Sequence, residues 1–459
     1  MFTTSLILDT DSYKASHWKQ YPPGLTHNYS YFESRGGDYD NVVFFGLQYY
    51  LKEYLTRPIT KDDVEQAAAL FASHGEPFNK DGWMKVVEKH KGFLPIKIKA
   101  VPEGTIVPTG NILMSVESTD PELAWVSSYI ETLLSRVWYP STVATRSWAC
   151  KQIIKRYLDK NSDDPEGQIK FKLHDFGSRG STSAESAAIG GAAHLVNFLG
   201  TDTVVALSFL QKYYGAKMAG FSIPAAEHST ITAWGKEGEV KAYENMIKQY
   251  GDGGMFACVS DSYNIYNACR DIWGEKLRRQ VQEMNATLVV RPDSGDPVSV
   301  VCSVIDILAE KFGTSLNYKG YKVLKNVRII QGDGMNQDQI QQVYHAIDQK
   351  GYSADNLAVG MGGGLLQSLN RDTCKFAYKT SYMEIDGRGV DIYKDPITDK
   401  GKQSKRGRLS LIDNLGKLQT VPQTAYGDLL ETVWENGKLV RDENLEDIRA
   451  RANRSLIRI

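Results

Sequence analysis

From residue 168 to about 364 the chain repeats one pattern: a short apolar run, a loop of glycine and polar residues, then a helical periodicity. IKFKL ends in HDFGSRG (174–180), and FSIP leads into AAEHST. MFACV ends in SDS (260–262), ATLVV in RPDSGDP (291–297), VRII in QGDG (331–334) and LAVG in MGGG (361–364). TVVAL, after Asp202, reads as one more such run. Short runs that are apolar throughout and bounded by loop residues suit strands buried on both faces. Alternating with helices, they predict an α/β fold with an irregular, parallel β/α barrel-like domain, in which ligands sit at the carboxyl ends of the strands. An open doubly wound sheet gives a similar alternation and stays as the alternative.

The flanks have another texture. Residues 1–150 mix a strand-like SLILD, an aromatic HNYSYFESR, helices near 46–56 and 61–75, and a strand-rich LPIKIKAVPEGTIVPTGNILMSVEST. Residues 121–159 read as nearly continuous helix broken at Pro140, since an interior proline lacks the N–H that a helix needs. KTSYMEIDGRGVDIYKDP predicts a hairpin with Asp-Gly at its turn. The expected division is therefore 1–150 with 376–459 as a second α+β domain built from the N- and C-terminal parts, and 151–375 as the barrel-like domain.

Fifty-four basic and fifty-five acidic residues leave a formal charge of −1. Nothing global steers such a chain to nucleic acid or a membrane, so any anion site must be local. The five cysteines are scattered without a CxxC pair, as free thiols in a reducing compartment would be. The N-terminus has no basic, apolar leader, and no run approaches the roughly 18 apolar residues of a membrane span. A soluble, cytoplasmic protein is expected.

The strand-end loops gather chemistry. They carry Asp261, Asp293, Asp296 and Asp333, the guanidiniums of Arg179 and Arg291, and His228 beside Glu227. Carboxylates near arginines suit magnesium, which takes one or two protein carboxylates plus substrate phosphate oxygens. GDG (332–334) and GGG (362–364) offer backbone N–H groups with no Cβ in the way, as a phosphate or ribose contact requires. No GxxxxGK[ST], HExxH or GxSxG motif occurs, and the glycines at 360–364 do not complete a GxGxxG because position 365 is leucine. A two-carboxylate glycosidase barrel is conceivable but needs fewer arginines and glycine loops.

The motifs TDSYK, YFESR, HDFGSRG, GTDTV, SIPAAEHSTITAWG, SDSYNIYNAC, RPDSGDP, QGDG, GGGLLQ, KDP and RGRLSL, in order from residue 9 to about 411, resemble the nicotinamide phosphoribosyltransferase family of type II phosphoribosyltransferases. The resemblance implies a homodimer with shared active sites. It implies the conversion of nicotinamide and phosphoribosyl pyrophosphate to nicotinamide mononucleotide and pyrophosphate, with Mg2+, in NAD salvage. ATP hydrolysis would be coupled through a phosphohistidine at His228. Phe176 and Tyr13, the latter from the partner copy, would stack on the base. Arg179 and Ser222 would line its pocket, and Arg291 would reach the carboxamide or the phosphoribosyl group. Asp202 would accept the amide –NH2 and repel nicotinate by like charge. Asp261 and Asp293 would serve histidine and magnesium, with Asp261 orienting the imidazole. Gly332, Asp333, Gly362 and Gly363 would hold the ribose. Arg35, Arg371, Lys379, Lys394 and Lys402 would grip phosphates. Ser178 and Met361 depart from the family's usual tyrosine and serine, and the loop at 215–221 is short. The nearest alternative is nicotinate phosphoribosyltransferase; a non-catalytic partner-binding protein is more distant.

Overall fold

The structure is a computed structural model that describes residues 4–398, 404–424 and 426–454. The chain divides into two compact units: residues Arg146–Gln211 with Lys217–Leu369, and residues 4–145 with Lys212–Ala216 and 370–454.

The first of these is built on a six-stranded sheet. Its strands are β1 (Leu173–Asp175), β2 (Gly200–Thr201), β3 (Met255–Val259), β4 (Thr287–Arg291), β5 (Val327–Gln331) and β6 (Leu357–Met361). They run in the order β2-β1-β6-β5-β4-β3, every neighbouring pair parallel. Helices such as Ala184–His194, Pro297–Phe312 and Gln337–Gln349 connect them.

The two sheet edges do not stay open. Phe221 pairs with Gly200 beside β2, and Ala225 pairs with Ala257 of β3, both in parallel sense. The Phe221 N–H donates to Leu199 O at 2.7 Å, and its carbonyl accepts Thr201 N–H at 3.1 Å. On the other side Pro224 O accepts Ala257 N–H at 2.9 Å, and Ala226 N–H donates to Ala257 O at 2.9 Å. Pro224 has no N–H to give, so this stretch bridges the edges without forming a regular strand. The result is a barrel-like closure rather than the open sheet held as alternative.

Inside it, Ala257, Val289 and Ile330 form a buried apolar cluster, with Phe176, Ile223 and Ala358 packed against it. One expectation fails here. The run after Asp202 is not a strand: Val204–Tyr214 is a helix. Ala206, Phe209 and Leu210 are buried while Val204 and Val205 are exposed, a 3.6-residue periodicity that a five-residue window misses.

The second unit carries a seven-stranded sheet that joins strands from both ends of the chain. Leu25–Ser34 is flanked by Phe376–Ile385 and Ile112–Ser118, both antiparallel to it. Ile96–Ala100 and Glu431–Glu435 follow. The hairpin turn falls where expected, with Asp386 at φ 50° and Gly387 at φ 72° between paired strands. SLILD is instead a short 3-10 helix, Leu6–Leu8. The helix predicted to break at Pro140 does not break there. Short helices end at Tyr129 and Ser135, and Trp138–Asn161 then runs unbroken with Pro140 in its first turn. In a first turn the missing N–H has no intrahelical partner to lose.

Candidate active site

Two cavities meet at the carboxyl ends of β1–β6, where they share Phe176, Asp202 and Arg291; the first continues through the barrel to the amino ends of the strands, at Lys172, Met255, Thr287 and Leu357. The first, of 590 Å3, runs into the barrel past Ile223, Ala257, Val289 and Ile330. The other, of 770 Å3, is walled by Arg179, Asp293, Asp333 and the glycines of 332–334 and 362–364.

Phe176 follows β1 directly, and its N–H is held by Met361 O of β6 at 3.0 Å. Its ring lies against Gly360: a Cβ there would stand 1.9 Å from Phe176 Cε2, so only glycine lets the ring occupy this place. Arg291, the last residue of β4, sets its guanidinium 5.7 Å from the centre of that ring, within cation–π range. The same guanidinium donates to Asp293 Oδ1, at 2.9 Å from Nη2. Beside them, Ser222 on the bridging stretch donates to Asp202 Oδ1 at 2.6 Å. Asp202 Oδ2 takes no part in that bond.

His174 lines the inner cavity. Burial holds its pKa below the usual histidine value, and a ring nitrogen, Nε2, lies 3.0 Å from Phe171 O. The ring therefore stays neutral and donates that proton to the carbonyl. Deeper still, Lys172 Nζ donates to Asp355 O at 3.0 Å. Burial, with a smaller push from Arg328 and an opposing pull from Asp355, brings its pKa down to about 7.

His228 opens the short helix His228–Thr232, with Glu227 as its N-cap. Its Nε2 lies 2.9 Å from Asp261 Oδ1, and its Nδ1 lies 3.9 Å from Asp293 Oδ2. Asp261 Oδ2 accepts Ser294 Oγ at 2.5 Å. A carboxylate opposite Nε2 keeps the proton there, so Nδ1 presents its lone pair towards the Arg291–Asp293 side. The imidazole itself is about half exposed.

Phe176, Arg179, Asp202, Arg291, Asp293, Gly332, Asp333, Gly362 and Gly363 thus line one polar cavity, Ser222 joins them through Asp202, and His228 and Asp261 adjoin Asp293. Asp296 stands apart. It caps Pro297–Phe312 by accepting Ser299 N–H at 2.8 Å, and the Ser299 hydroxyl together with that N–H lowers its pKa.

Tyr13, Arg35, Arg371, Lys379 and Lys394 belong to the other unit. Tyr13 is exposed on the 3-10 helix Ser12–Lys19. Burial depresses the Lys379 pKa, and Arg35, Arg371 and Lys14 depress it further against Glu131, while Lys14 is itself paired with Glu131 and Arg35 with Glu33. Lys394 is exposed, and its N–H donates to Ser404 Oγ at 2.8 Å. Lys402 lies outside the described residues.

Three contributors escaped the sequence reading. Gly360 had a signal, a lone glycine inside the strand LAVGM. Gln367 ties the loop after β6 to the loop after β1 by donating to Gly177 O at 2.9 Å and to Ser181 Oγ at 3.1 Å. Arg146 holds the glycine loop by its carbonyls, donating to Gly364 O at 2.8 Å and Ser368 O at 2.7 Å. Neither of the last two has a local motif.

Among the described residues no group of three or more His, Cys, Asp or Glu side chains is arranged to hold a metal ion. Asp261 and Asp293 already carry protein partners, so this donor set fits magnesium only as part of a cage completed by substrate oxygens and water.

Residues 171–438 match the Nicotinate phosphoribosyltransferase (NAPRTase) family, and residues 5–98 match the Nicotinamide phosphoribosyltransferase, N-terminal domain. A nicotinamide phosphoribosyltransferase of Xanthomonas campestris pv. campestris is 56% identical over 462 residues, covering 98% of this chain and 99% of that one. One from Acinetobacter baylyi is 32% identical over 490 residues, covering 97% and 96%. The crystal structure of nicotinate-nucleotide pyrophosphorylase from Pyrococcus furiosus superposes with a TM-score of 0.61 at 16% identity, covering 98% of this chain and 96% of that one. That last likeness bears on the fold alone.

Proposed function

This chain belongs to the nicotinate phosphoribosyltransferase family, and from that premise we infer that it is a nicotinamide phosphoribosyltransferase, a pentosyltransferase of NAD biosynthesis. The pyridine nitrogen of nicotinamide attacks ribose C1 of phosphoribosyl pyrophosphate as the C1–O bond to pyrophosphate breaks. The products are nicotinamide mononucleotide and pyrophosphate.

The observation that carries this reading is the meeting of Phe176, Asp202 and Arg291 where an apolar cavity joins a polar one. A flat base gains from the face of Phe176 and from apolar walls behind it. Asp202, with one oxygen satisfied by Ser222, offers the other to the amide –NH2. The same charge disfavours nicotinate. Arg291, Arg179 and the N–H groups of the glycine loops face the phosphoribosyl side, where preorganised donors stabilise the departing pyrophosphate. Catalysis is then positioning plus electrostatics.

In this proposal Nδ1 of His228 attacks the γ-phosphorus of ATP, the bond from that phosphorus to the bridging oxygen breaks and ADP leaves, while Asp261 holds Nε2–H. The added charge lies beside the pyrophosphate pocket. Magnesium, when bound, would neutralise phosphate charge next to Asp261 and Asp293. The homodimer completes the site in the same reading: Tyr13 of a partner copy supplies the second aromatic face, and Arg35, Arg371, Lys379, Lys394 and Lys402 the remaining phosphate contacts. No helix among the described residues is long and apolar enough to cross a membrane, and we place the enzyme in the cytoplasm.

The test is turnover by the pure protein with phosphoribosyl pyrophosphate and either nicotinamide or nicotinate. We expect nicotinamide to be favoured by about 100-fold in kcat/KM; equal or better use of nicotinate would sink the substrate assignment. For the phosphohistidine, His228→Ala should lose stimulation by ATP while keeping slow transfer. Stimulation that survives the change excludes it.

A further inference from the structure

Asp175 sits between His174 and Phe176 at the end of β1, completely buried. Its Oδ1 accepts the Gly177 N–H at 2.7 Å, which pins the turn that aims Phe176. Its Oδ2 faces Thr201 Oγ1 at 3.5 Å, and that hydroxyl accepts Thr203 N–H at 3.0 Å. The Thr203 hydroxyl lies beside the same carboxyl. Asp175 O also accepts the Asp202 N–H at 3.0 Å. Both neighbours of Asp202 are therefore buried, and Thr201 links them to the acid, while Asp202 itself is exposed. Gly191 makes room, since a Cβ there would stand 3.2 Å from Asp175 Oδ2.

A buried carboxyl is a poor choice for packing alone. Burial raises its pKa, with the Gly177 N–H pulling the other way, and an apolar side chain would avoid the desolvation cost. What an apolar residue cannot do is hold two loops by hydrogen bonds at once.

We propose that Asp175 is a positioning residue for the base pocket, one carboxyl that fixes the stacking ring of Phe176 and the amide acceptor Asp202 relative to each other. It rests on the functional reading above and adds a determinant of amide-over-acid preference that touches no substrate.

Three variants test it. Asp175→Ala removes both contacts of the carboxyl, leaving the main-chain bond to Asp202 N–H in place, and should raise KM for nicotinamide about 30-fold, with KM for phosphoribosyl pyrophosphate within about twofold of the parent. The nicotinamide-to-nicotinate preference should shrink about tenfold. Asp175→Asn keeps an oxygen for Gly177 N–H and should return KM to within about fivefold of the parent. Thr201→Val, similar in size, cuts only the link towards Asp202 and should lower the preference about threefold. It decides the matter if Asp175→Ala does not fold. An unchanged preference in the folded variants, or KM values for both substrates rising together, overturns the proposal. If the unsubstituted chain does not turn over nicotinamide, the functional reading falls, and this proposal with it; the parent enzyme's turnover separates the two failures.

Discussion

The two cavities that meet at Phe176 are made of opposite materials. The inner one runs past Ile223, Ala257, Val289 and Ile330 and presents mainly apolar surface, with His174 and Lys172 already bonded to main-chain carbonyls. The outer one is bounded by Asp293, Asp333, Arg179 and runs of glycine and presents charges and backbone N–H groups. A neutral ring is recognised by area and shape, which a wall supplies without knowing which atoms face it. A phosphate is recognised by donors at fixed places. The inner half should therefore respond to changes of volume, the outer half to changes of charge, and residues common to both should respond to either.

Arg291 tests the shared boundary most severely. It lies over the Phe176 ring and pairs with Asp293, so Arg291→Ala should lower kcat/KM about 1000-fold and raise KM for both substrates. Steady-state kinetics with each substrate varied in turn checks this, and an effect confined to one substrate would mean that the two halves are independent. Gly360→Ala is next and probes volume alone. A Cβ would fall 1.9 Å from the Phe176 ring, so the ring must swing away; KM for nicotinamide should rise about 10- to 100-fold while that for phosphoribosyl pyrophosphate hardly moves. Equal effects on both would blur the division drawn above.

The smallest effect concerns the floor of the inner cavity. Lys172 has its pKa brought down to about 7 in the folded chain by burial, against an ordinary lysine value of 10.5. Between these values the unfolded state binds the extra proton, so this group makes stability rise with pH, by up to about 1.4 kcal/mol per unit. Below pH 7 both states are charged and its penalty is at full size. Lys172→Met should therefore be more stable than the parent at pH 6.5, with the gap narrowing towards pH 9.5. Urea midpoints across that range measure it, and a constant gap would show that the ammonium is not desolvated.

How much of this was legible beforehand depends on the length of the signal. Five-residue apolar runs ending in polar loops gave away β3 to β6, because strands buried on both faces have no polar alternation to obscure them. TVVAL misled for the same reason in reverse: its helical partners Phe209 and Leu210 lie outside the run. Asp296 looked like its neighbour Asp293 in RPDSGDP, yet a helix beginning at Pro297 claims it as a cap. The pairing of His228 with Asp261 links residues 33 positions apart, so it followed from family likeness and not from local chemistry. Arg146, and Gln367 in its bond to Gly177, act through backbone carbonyls that any sequence would supply, and such contacts leave no trace in residue type.

The proline-containing stretch that spans the two sheet edges has a mechanical meaning. A cylinder whose staves are otherwise laced along their length is stitched here at its two ends only, through Phe221 on one side and Pro224 with Ala226 on the other. Sparse lacing marks the place where a shell parts first. Deuterium should therefore enter the amides of 221–226 sooner than those of β4 and β5, and Ser222, two residues before Pro224, rides on that seam.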